Sequence, residues 1–160
     1  MTHGKKLMFV AAGLLLTCSA RAELPRSVRS NVYFTASPIR DVTTKALVRL
    51  FEKQEPRAKL KRKKDGHWTT TIVAFLRRKP YPGPITIWLY DKEDKVALSA
   101  VSVDGRGRPI FIHELDISPD LGFNKGRTYY VQVGQIIGKR NMVFARGEVE
   151  LLAERAQKTP

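Results

Sequence analysis

The sequence predicts an all-β fold, an antiparallel β-sandwich of about seven to nine strands. Three observations predict it: β-branched and aromatic residues gather in short runs, apolar and polar side chains alternate within the runs, and Gly- or Pro-rich turns separate them. The number of candidate strands is typical of a sandwich or a barrel. The candidates are residues 31–36, 44–51, 58–63, 68–76, 85–90, 96–103, 110–117, 128–137 and 142–151.

The boundaries of the domain follow from where the alternation begins and ends. Residues 23–30 show no hydrophobic period and are interpreted as a short leader or a first edge element. The sandwich is expected to span residues 31–152. Residues 153–160 form a polar terminus, for which we expect a flexible tail.

Two of the runs illustrate how the strands are assigned. In the run 44–51, Ala46, Val48 and Leu50 share one face if the segment is extended, which predicts a strand. In the run 85–90 both faces are apolar or amphipathic, so we expect this strand near the centre of a sheet.

The segments between the runs carry the chemistry of tight turns. Asp65-Gly66 has the two-residue spacing of a type I′ hairpin, and residues 104–107 predict a second, slightly longer hairpin turn. Residues 80–84 contain three prolines, which cannot donate to a strand ladder, so this segment is expected to be a rigid connector. Gly134 and Gly138 flank two isoleucines and indicate a bulge or a bend.

Two segments resemble immunoglobulin-like and fibronectin type III sandwiches. Residues 126–133, Gly-Arg-Thr-Tyr-Tyr-Val-Gln-Val, are similar to the penultimate strand of those folds, in which a Tyr near the strand start hydrogen-bonds a neighbouring corner. Residues 85–88, Ile-Thr-Ile-Trp, are similar to the strand that presents a core Trp. The cysteine pair of true immunoglobulin domains is absent, and the resemblance implies a fold without implying a function.

The first 22 residues have the three parts of a secretory signal. Lys5 and Lys6 supply positive charge, residues 7–17 are apolar, and Ala20-Arg21-Ala22 forms a small-x-small cleavage site. The apolar run is too short to span a membrane, which takes about 20 residues. We therefore expect cleavage after Ala22, export to the periplasm or the extracellular space, and no transmembrane segment in the mature chain.

An alternative uses Leu15-Leu16-Thr17-Cys18, which resembles the lipobox of bacterial lipoproteins. In that case lipid is attached to Cys18 and the protein is anchored to the envelope. Both alternatives remain open at the level of sequence.

The chain is strongly basic, with 29 Lys and Arg against 15 Asp and Glu and a formal net charge of +14. Removal of residues 1–22 takes away three basic residues and no acidic ones, which leaves a net charge of +11. It also removes the only cysteine. A positive domain of this kind binds polyanions in a salt-dependent manner.

The basic residues concentrate in two clusters on either side of the run 68–76. If Asp65-Gly66 closes a hairpin, Lys63 lies opposite Trp68 and Lys61 opposite Thr70, which places an exposed indole beside a cationic strand. This arrangement predicts a surface for phosphate, sulfate or uronic acid groups. Alternatively, the lysines protect an edge strand against aggregation. The predicted site consists of Arg57, Lys59, Lys61, Arg62, Lys63, Lys64, Trp68, Arg77, Arg78 and Lys79.

These features predict a non-catalytic binding or structural module of the cell envelope. The expected partner is an anionic envelope polymer or an acidic protein, and intracellular nucleic acid is not expected for an exported chain. A second hypothesis is a protein-interaction module that uses an apolar strand edge, either at Trp88 and Tyr90 or along residues 129–137. A third is a small envelope hydrolase with paired carboxylates.

Motifs for catalysis or metal binding are weak. The sequence has neither a Gly-x-Ser-x-Gly elbow nor a Walker loop, so we expect no enzyme activity and no cofactor. His113 is interpreted as a structural residue at a strand end and His67 as a surface residue, so no metal site is expected. Residues 116–124 lack the Gly and Glu of a calcium loop and predict a loop that crosses between sheets, while residues 91–94 predict a solvated acidic turn.

Overall fold

A computed structural model describes residues 23–153. The predicted signal, Cys18 and all of the predicted tail except Ala153 lie outside the described residues. The strands are β1 (Val32–Thr35), β2 (Arg57–Lys61), β3 (Trp68–Phe75), β4 (Pro84–Asp91), β5 (Ala97–Asp104), β6 (Ile110–Ile117), β7 (Thr128–Ile137) and β8 (Arg140–Leu152). The helix α1 spans Thr44–Phe51, and a single 3-10 turn spans Pro119–Leu121.

The strands form two sheets that pack face to face, which confirms the predicted all-β sandwich. One sheet has the order β1-β3-β6 and the other the order β2-β8-β7-β4-β5. The pairing is antiparallel except between β2 and β8, which run parallel. The expectation of purely antiparallel sheets was therefore wrong at this edge, where β2 enters from a helix and not from a hairpin.

The main core lies between the two sheets. Trp68, Ile72 and Ala74 point inward from alternate positions of β3, as the period of a strand requires. The larger sheet meets them with residues such as Ile87 and Val131, which are fully buried. Both faces of β3 are apolar, because Val73 and Phe75 belong to a second cluster on its other side.

Helix α1 covers that second face, so the prediction of a strand at residues 44–51 was wrong. Leu47 and Phe51, four residues apart, are the side chains that the helix buries. The Thr43 hydroxyl caps the helix by accepting a hydrogen bond from the Ala46 N–H at 3.3 Å. The leader also contributes to this cluster through Leu24 and Val28. No helix among residues 23–153 is long and apolar enough to cross a membrane.

The turns at residues 65–66 and 104–107 connect the two sheets, so the prediction of two hairpins was wrong. The first turn exists, since the Lys63 N–H donates to the His67 carbonyl at 2.8 Å. Beyond it, however, β2 pairs with β8 while β3 pairs with β1 and β6. The second turn likewise leads from β5 in one sheet to β6 in the other.

Three local predictions are confirmed. The ladder between β7 and β8 shifts register between Val133 and Gly134, which is the expected bulge. Residues 80–84 connect the two sheets, and the buried Gln135 side chain holds them through hydrogen bonds of 2.9 Å to both the N–H and the carbonyl of Tyr81. Ser118 and Gly122 bound the 3-10 turn in the loop before β7.

The two tryptophans occupy places that the sequence did not predict. Trp88 is nearly buried, but it alternates with Ile87 and Leu89 and therefore lies on the face of β4 that points away from the inter-sheet core. The indole inside that core is Trp68. The expected hydrogen bond from a strand-start Tyr is present, because the Tyr129 hydroxyl accepts from the Asn124 N–H at 2.8 Å.

The acidic turn at residues 91–94 is organised by Arg127 and is not simply solvated. Arg127 approaches Asp91 at 2.8 Å, Glu93 at 3.0 Å and Asp94 at 2.7 Å. Asp91 is 2% exposed and also accepts hydrogen bonds from the N–H groups of Glu93 and Asp94. Burial alone raises the pKa of Asp91, but these donors and the guanidinium outweigh it and lower the pKa below its ordinary value.

This cluster predicts how stability depends on pH. Because the pKa of Asp91 is lower in the folded state, the folded chain binds fewer protons, and stability is lost as the pH falls through that pKa. We expect Asp91→Asn to be less stable than wild type at neutral pH and to respond less steeply to acid. The free energy of unfolding plotted against pH should differ in slope between the two proteins by at most about 1.4 kcal/mol per pH unit. Urea unfolding between about pH 2 and 7 measures it, and parallel curves would contradict the assignment.

Candidate anion-binding site

The two predicted basic clusters lie at opposite ends of β3. Residues 62–64 precede its first residue and residues 77–79 follow Leu76 at its far end. The eight residues of β3 rise about 3.3 Å each, which places the clusters roughly 25 Å apart. The structure therefore does not bring the predicted site residues together into one surface.

Part of the first cluster is neutralised by its own sheet. Arg57 lies 3.2 Å from Glu148 and Lys59 lies 3.0 Å from Glu150 on the neighbouring strand β8. The parallel register sets these pairs directly side by side. Exposed pairs of this kind add little stability, but they cancel charge that a ligand would otherwise meet.

Arg62 is occupied within the same cluster. Its Nε donates to the Gly66 carbonyl at 2.7 Å, and its guanidinium lies 5.3 Å from the centre of the Trp68 ring. Lys61, Lys63 and Lys64 remain exposed.

Trp68 is buried, so the predicted stacking surface does not exist. Its side chain is 1% exposed and its Nε1–H donates to the Leu152 carbonyl at 2.8 Å. The predicted pairings were also wrong, because Trp68 pairs with Ile117 and Lys61 pairs with Leu152. The indole joins the two sheets and cannot stack on a sugar or a base.

The second cluster lines a cleft of about 490 Å³. Arg77, Arg78 and Lys79 approach it from the segment after β3, Arg29 from the leader and Arg108 from the turn before β6. Between these cations the cleft has an apolar lining of Leu24, Leu76 and Pro109.

Charge is unequally divided between the two ends of the sandwich. The loops 23–31, 76–83, 105–109 and 138–139 meet at the end that carries the cleft, which we call the basic end. They contain Arg26, Arg29, Arg77, Arg78, Lys79, Arg106, Arg108 and Lys139, with Glu23 as their single acidic residue. The loops 62–67, 92–96 and 118–127 lie at the opposite end, where seven basic residues are partly offset by Asp65, Glu93, Asp94 and Asp120.

Most cations of the cleft are available to a ligand, and Arg29 is the exception. Glu23 pairs with Arg29 at 2.6 Å. Within residues 23–153, no carboxylate lies within ion-pair distance of Arg77, Lys79 or Arg108. Such unpaired cations around one concave surface create a positive potential that attracts anions.

Arg78 is held in place by its neighbours. Its guanidinium donates to the Met142 sulfur at 3.0 Å and lies 5.0 Å from the centre of the Phe144 ring and 5.5 Å from that of Tyr81. These contacts fix the direction of the guanidinium without neutralising its charge. A positioned guanidinium favours bidentate binding of phosphate or sulfate.

Five cations of this end were not predicted from the sequence: Arg26, Arg29, Arg106, Arg108 and Lys139. Arg29 and Arg108 are isolated from the Arg77 cluster along the chain, and only the packing of the leader and the β5–β6 turn brings them to the cleft. Lys79 lies against that turn, close to Gly107. The only signal for these residues in the sequence was the overall charge.

The other titratable residues do not converge. His113 lies in the middle of β6, not at its end, and stacks on Phe111 with 6.0 Å between ring centres. Burial lowers the pKa of His113, while Glu114 opposes the change. Asp116 pairs with His67 at 3.0 Å. In the part of the chain that the structure describes, no three His, Cys, Asp or Glu residues are placed to hold a metal ion.

The hydrolase hypothesis requires two carboxylates in one concave site, and a groove on the outer face of the smaller sheet has two in its lining. Its volume is about 440 Å³, and Glu114 and Asp116 line it from the same face of β6. Both residues are exposed. For the apolar edge hypothesis, β4 and β7 have partners on both sides, so Trp88, Tyr90 and residues 129–137 do not form a sheet edge.

Comparison with known proteins identifies no relative. No protein-family model matches the chain, and neither the curated proteins nor the solved structures contain a significant match. Its function must be inferred from its own geometry and charge.

The burial of Trp68 predicts the effect of replacing it. Trp68→Phe leaves the Leu152 carbonyl without its donor, so we expect a loss of about 2 kcal/mol in the free energy of unfolding. Retention on immobilised heparin should not change, because the indole does not face a ligand. Denaturant unfolding and a salt-gradient elution measure the two effects, and weaker retention of the folded variant would show that Trp68 does contribute to binding.

Proposed function

We propose that this chain is an exported, non-catalytic β-sandwich module that binds an anionic polymer of the cell envelope at its basic end. One observation carries the proposal: the cleft beside Arg77 gathers cations from three separate segments, and Glu23, the one acidic residue among the described residues that line it, is already paired with Arg29. A fold that needed basic residues only for solubility has no reason to collect them at one end.

The chemistry of the cleft favours phosphate or sulfate groups. Arg77, Arg78 and Arg108 offer planar guanidinium donors, and Lys79 adds a mobile ammonium group. Regularly spaced anionic groups on a polymer can engage several of these cations together, so binding should fall steeply as the salt concentration rises.

Export supports an envelope polymer as the partner. The signal-like features of residues 1–22 direct the chain out of the cytoplasm. Outside the cytoplasm, phosphorylated and acidic polysaccharides are abundant and the chain does not meet chromosomal nucleic acid. Cleavage after Ala22 leaves Glu23 and Leu24 at the cleft. Lipidation at Cys18 is the alternative, and intact mass distinguishes the two forms.

We further propose that the sandwich is immunoglobulin-like. The hydrogen bond between Tyr129 and Asn124 supports this, since a Tyr near the start of a late strand makes such a bond in those domains. Helix α1 and the parallel pair of β2 with β8 are additions to that pattern.

Charge reversal tests the proposed site. The double variant Arg77→Glu and Lys79→Glu should elute from heparin at clearly lower salt and bind a phosphate-bearing polysaccharide at least about tenfold more weakly. Its melting temperature should remain within a few degrees of wild type, because both side chains are exposed.

The matched control is Lys61→Glu with Lys63→Glu, which makes the same charge change at the opposite end. It should retain most of the binding. Equal losses in the two double variants would show that net charge, and not the cleft, governs retention. If envelope extracts instead yield an acidic protein that binds the wild type and not the Arg77 variant, the partner is a protein and the polymer proposal fails.

A further inference from the structure

The hairpin between β7 and β8 ends in two exposed isoleucines. Ile136 is 57% exposed and Ile137 is 36% exposed, and Gly138 turns the chain with φ of 61° directly after them. The backbone of this tip is already in the ladder, since Ile136 pairs with Asn141 and Ile137 with Arg140. Neither β4 nor β2 reaches this far, so the outward backbone groups of the tip need water or head groups, and the tip suits shallow insertion at the acyl boundary.

This apolar tip belongs to the basic end. Gln135, the residue before the tip, is buried. Its side chain accepts a hydrogen bond from the Tyr81 N–H and donates one to the Tyr81 carbonyl. Tyr81 is 54% exposed, and the Arg78 guanidinium lies over its ring. The isoleucines, the aromatic ring and the cation cluster thus lie next to one another on one end of the molecule.

Basic residues flank the tip along the chain. Lys139 and Arg140 follow the isoleucines directly, and both are exposed. Arg78 and Lys79 precede Tyr81 by three and two residues. An apolar tip within a set of cations is complementary to an anionic lipid bilayer, whose head groups attract Lys and Arg while its acyl boundary accepts apolar side chains.

The opposite end offers an internal comparison. Val96 and Leu121 are each 53% exposed there. Their loops, however, contain Glu93, Asp94 and Asp120 beside four basic residues, so the two loops together are nearly neutral and attract an anionic surface only weakly. Exposed apolar residues therefore occur at both ends, but the loops of the basic end carry a net charge of +7, whereas the loops 92–96 and 118–127 together carry +1.

We propose that the basic end docks on an anionic phospholipid bilayer, with Ile136 and Ile137 inserted into the acyl boundary and Tyr81 at the level of the head groups. The inference rests on the proposed function for its cations and goes beyond it, because insertion requires a bilayer and not a soluble polymer. The long axis of the sandwich then lies along the membrane normal, with the opposite end in solvent.

Vesicle binding tests the insertion. The processed protein, shown by intact mass to lack both lipid and signal, is sedimented with vesicles of phosphatidylcholine alone and with added phosphatidylglycerol. Wild type should bind the anionic vesicles and not the neutral ones. The variant Ile136→Ser with Ile137→Ser should bind the anionic vesicles at least about tenfold more weakly, since each isoleucine that leaves water for the acyl boundary contributes to partitioning.

The control variant is Val96→Ser with Leu121→Ser, which removes equally exposed apolar side chains from the opposite end and should bind vesicles as wild type does. Tip and control variants should both keep their retention on heparin. If the tip variant binds vesicles as wild type does, or if wild type binds neutral vesicles equally well, the insertion is overturned.

Heparin retention separates this inference from the proposed function. A wild type that is held by heparin through Arg77 and Lys79 but never sediments with anionic vesicles refutes membrane docking alone. A wild type that binds neither refutes both. Loss of heparin retention in the tip variant would also contradict the inference, because the isoleucines should matter only to a bilayer.

Fluorescence gives a second measurement of depth. Trp68 is 1% exposed and Trp88 is 4% exposed, so the native emission should change little on docking. A tryptophan introduced by Ile137→Trp should shift its emission to shorter wavelength with anionic vesicles and be quenched by lipids brominated on the acyl chain. If the variant sediments with the anionic vesicles but its emission spectrum does not change, insertion is overturned.

Discussion

The architecture depends on β3 being buried on both of its faces. Trp68, Ile72 and Ala74 face the larger sheet, while Val73 and Phe75 lie under helix α1. From Thr70 to Phe75 the strand is buried, so it has no place there for a charged side chain, because an unpaired charge is costly to bury. The basic residues next to β3 in sequence are therefore displaced beyond its two ends. This constraint divides the predicted site into two clusters and determines which surface each can serve.

The two ends then differ in how their charge is compensated. At one end Arg127 gathers Asp91, Glu93 and Asp94, so that acidic and basic side chains satisfy one another and close the β4–β5 turn. Glu148 and Glu150 likewise cancel part of the charge on β2. At the other end the cations face a cleft and an apolar hairpin tip. Ion pairs thus stabilise one end, and the positive charge of the other remains for recognition.

The errors in the sequence prediction have local causes. Residues 44–51 alternate well enough for a strand. The segment is nevertheless a helix, because Leu47 and Phe51, four residues apart, are buried together against the sheet. Asp65-Gly66 forms the tight turn that its residues favour, and the same turn serves a crossing between sheets as readily as a hairpin. The assignment of Trp68 to a surface followed from that mistaken hairpin. Trp88 was predicted to be the core indole because of the resemblance to immunoglobulin-like strands. The core instead contains Trp68, which β3 points toward the larger sheet.

The sequence by itself determined the class of fold, eight of the strands, the bulge at Gly134, the rigid connector and the positive charge. All of these depend on periodicity, on turn chemistry or on composition, which are properties of neighbouring residues. The tertiary structure alone decided which strands pair, which indole fills the core, and that Arg29 and Arg108 join Arg77 at one cleft. These are contacts between residues distant along the chain. They are chosen by the burial of apolar faces, which no single segment specifies.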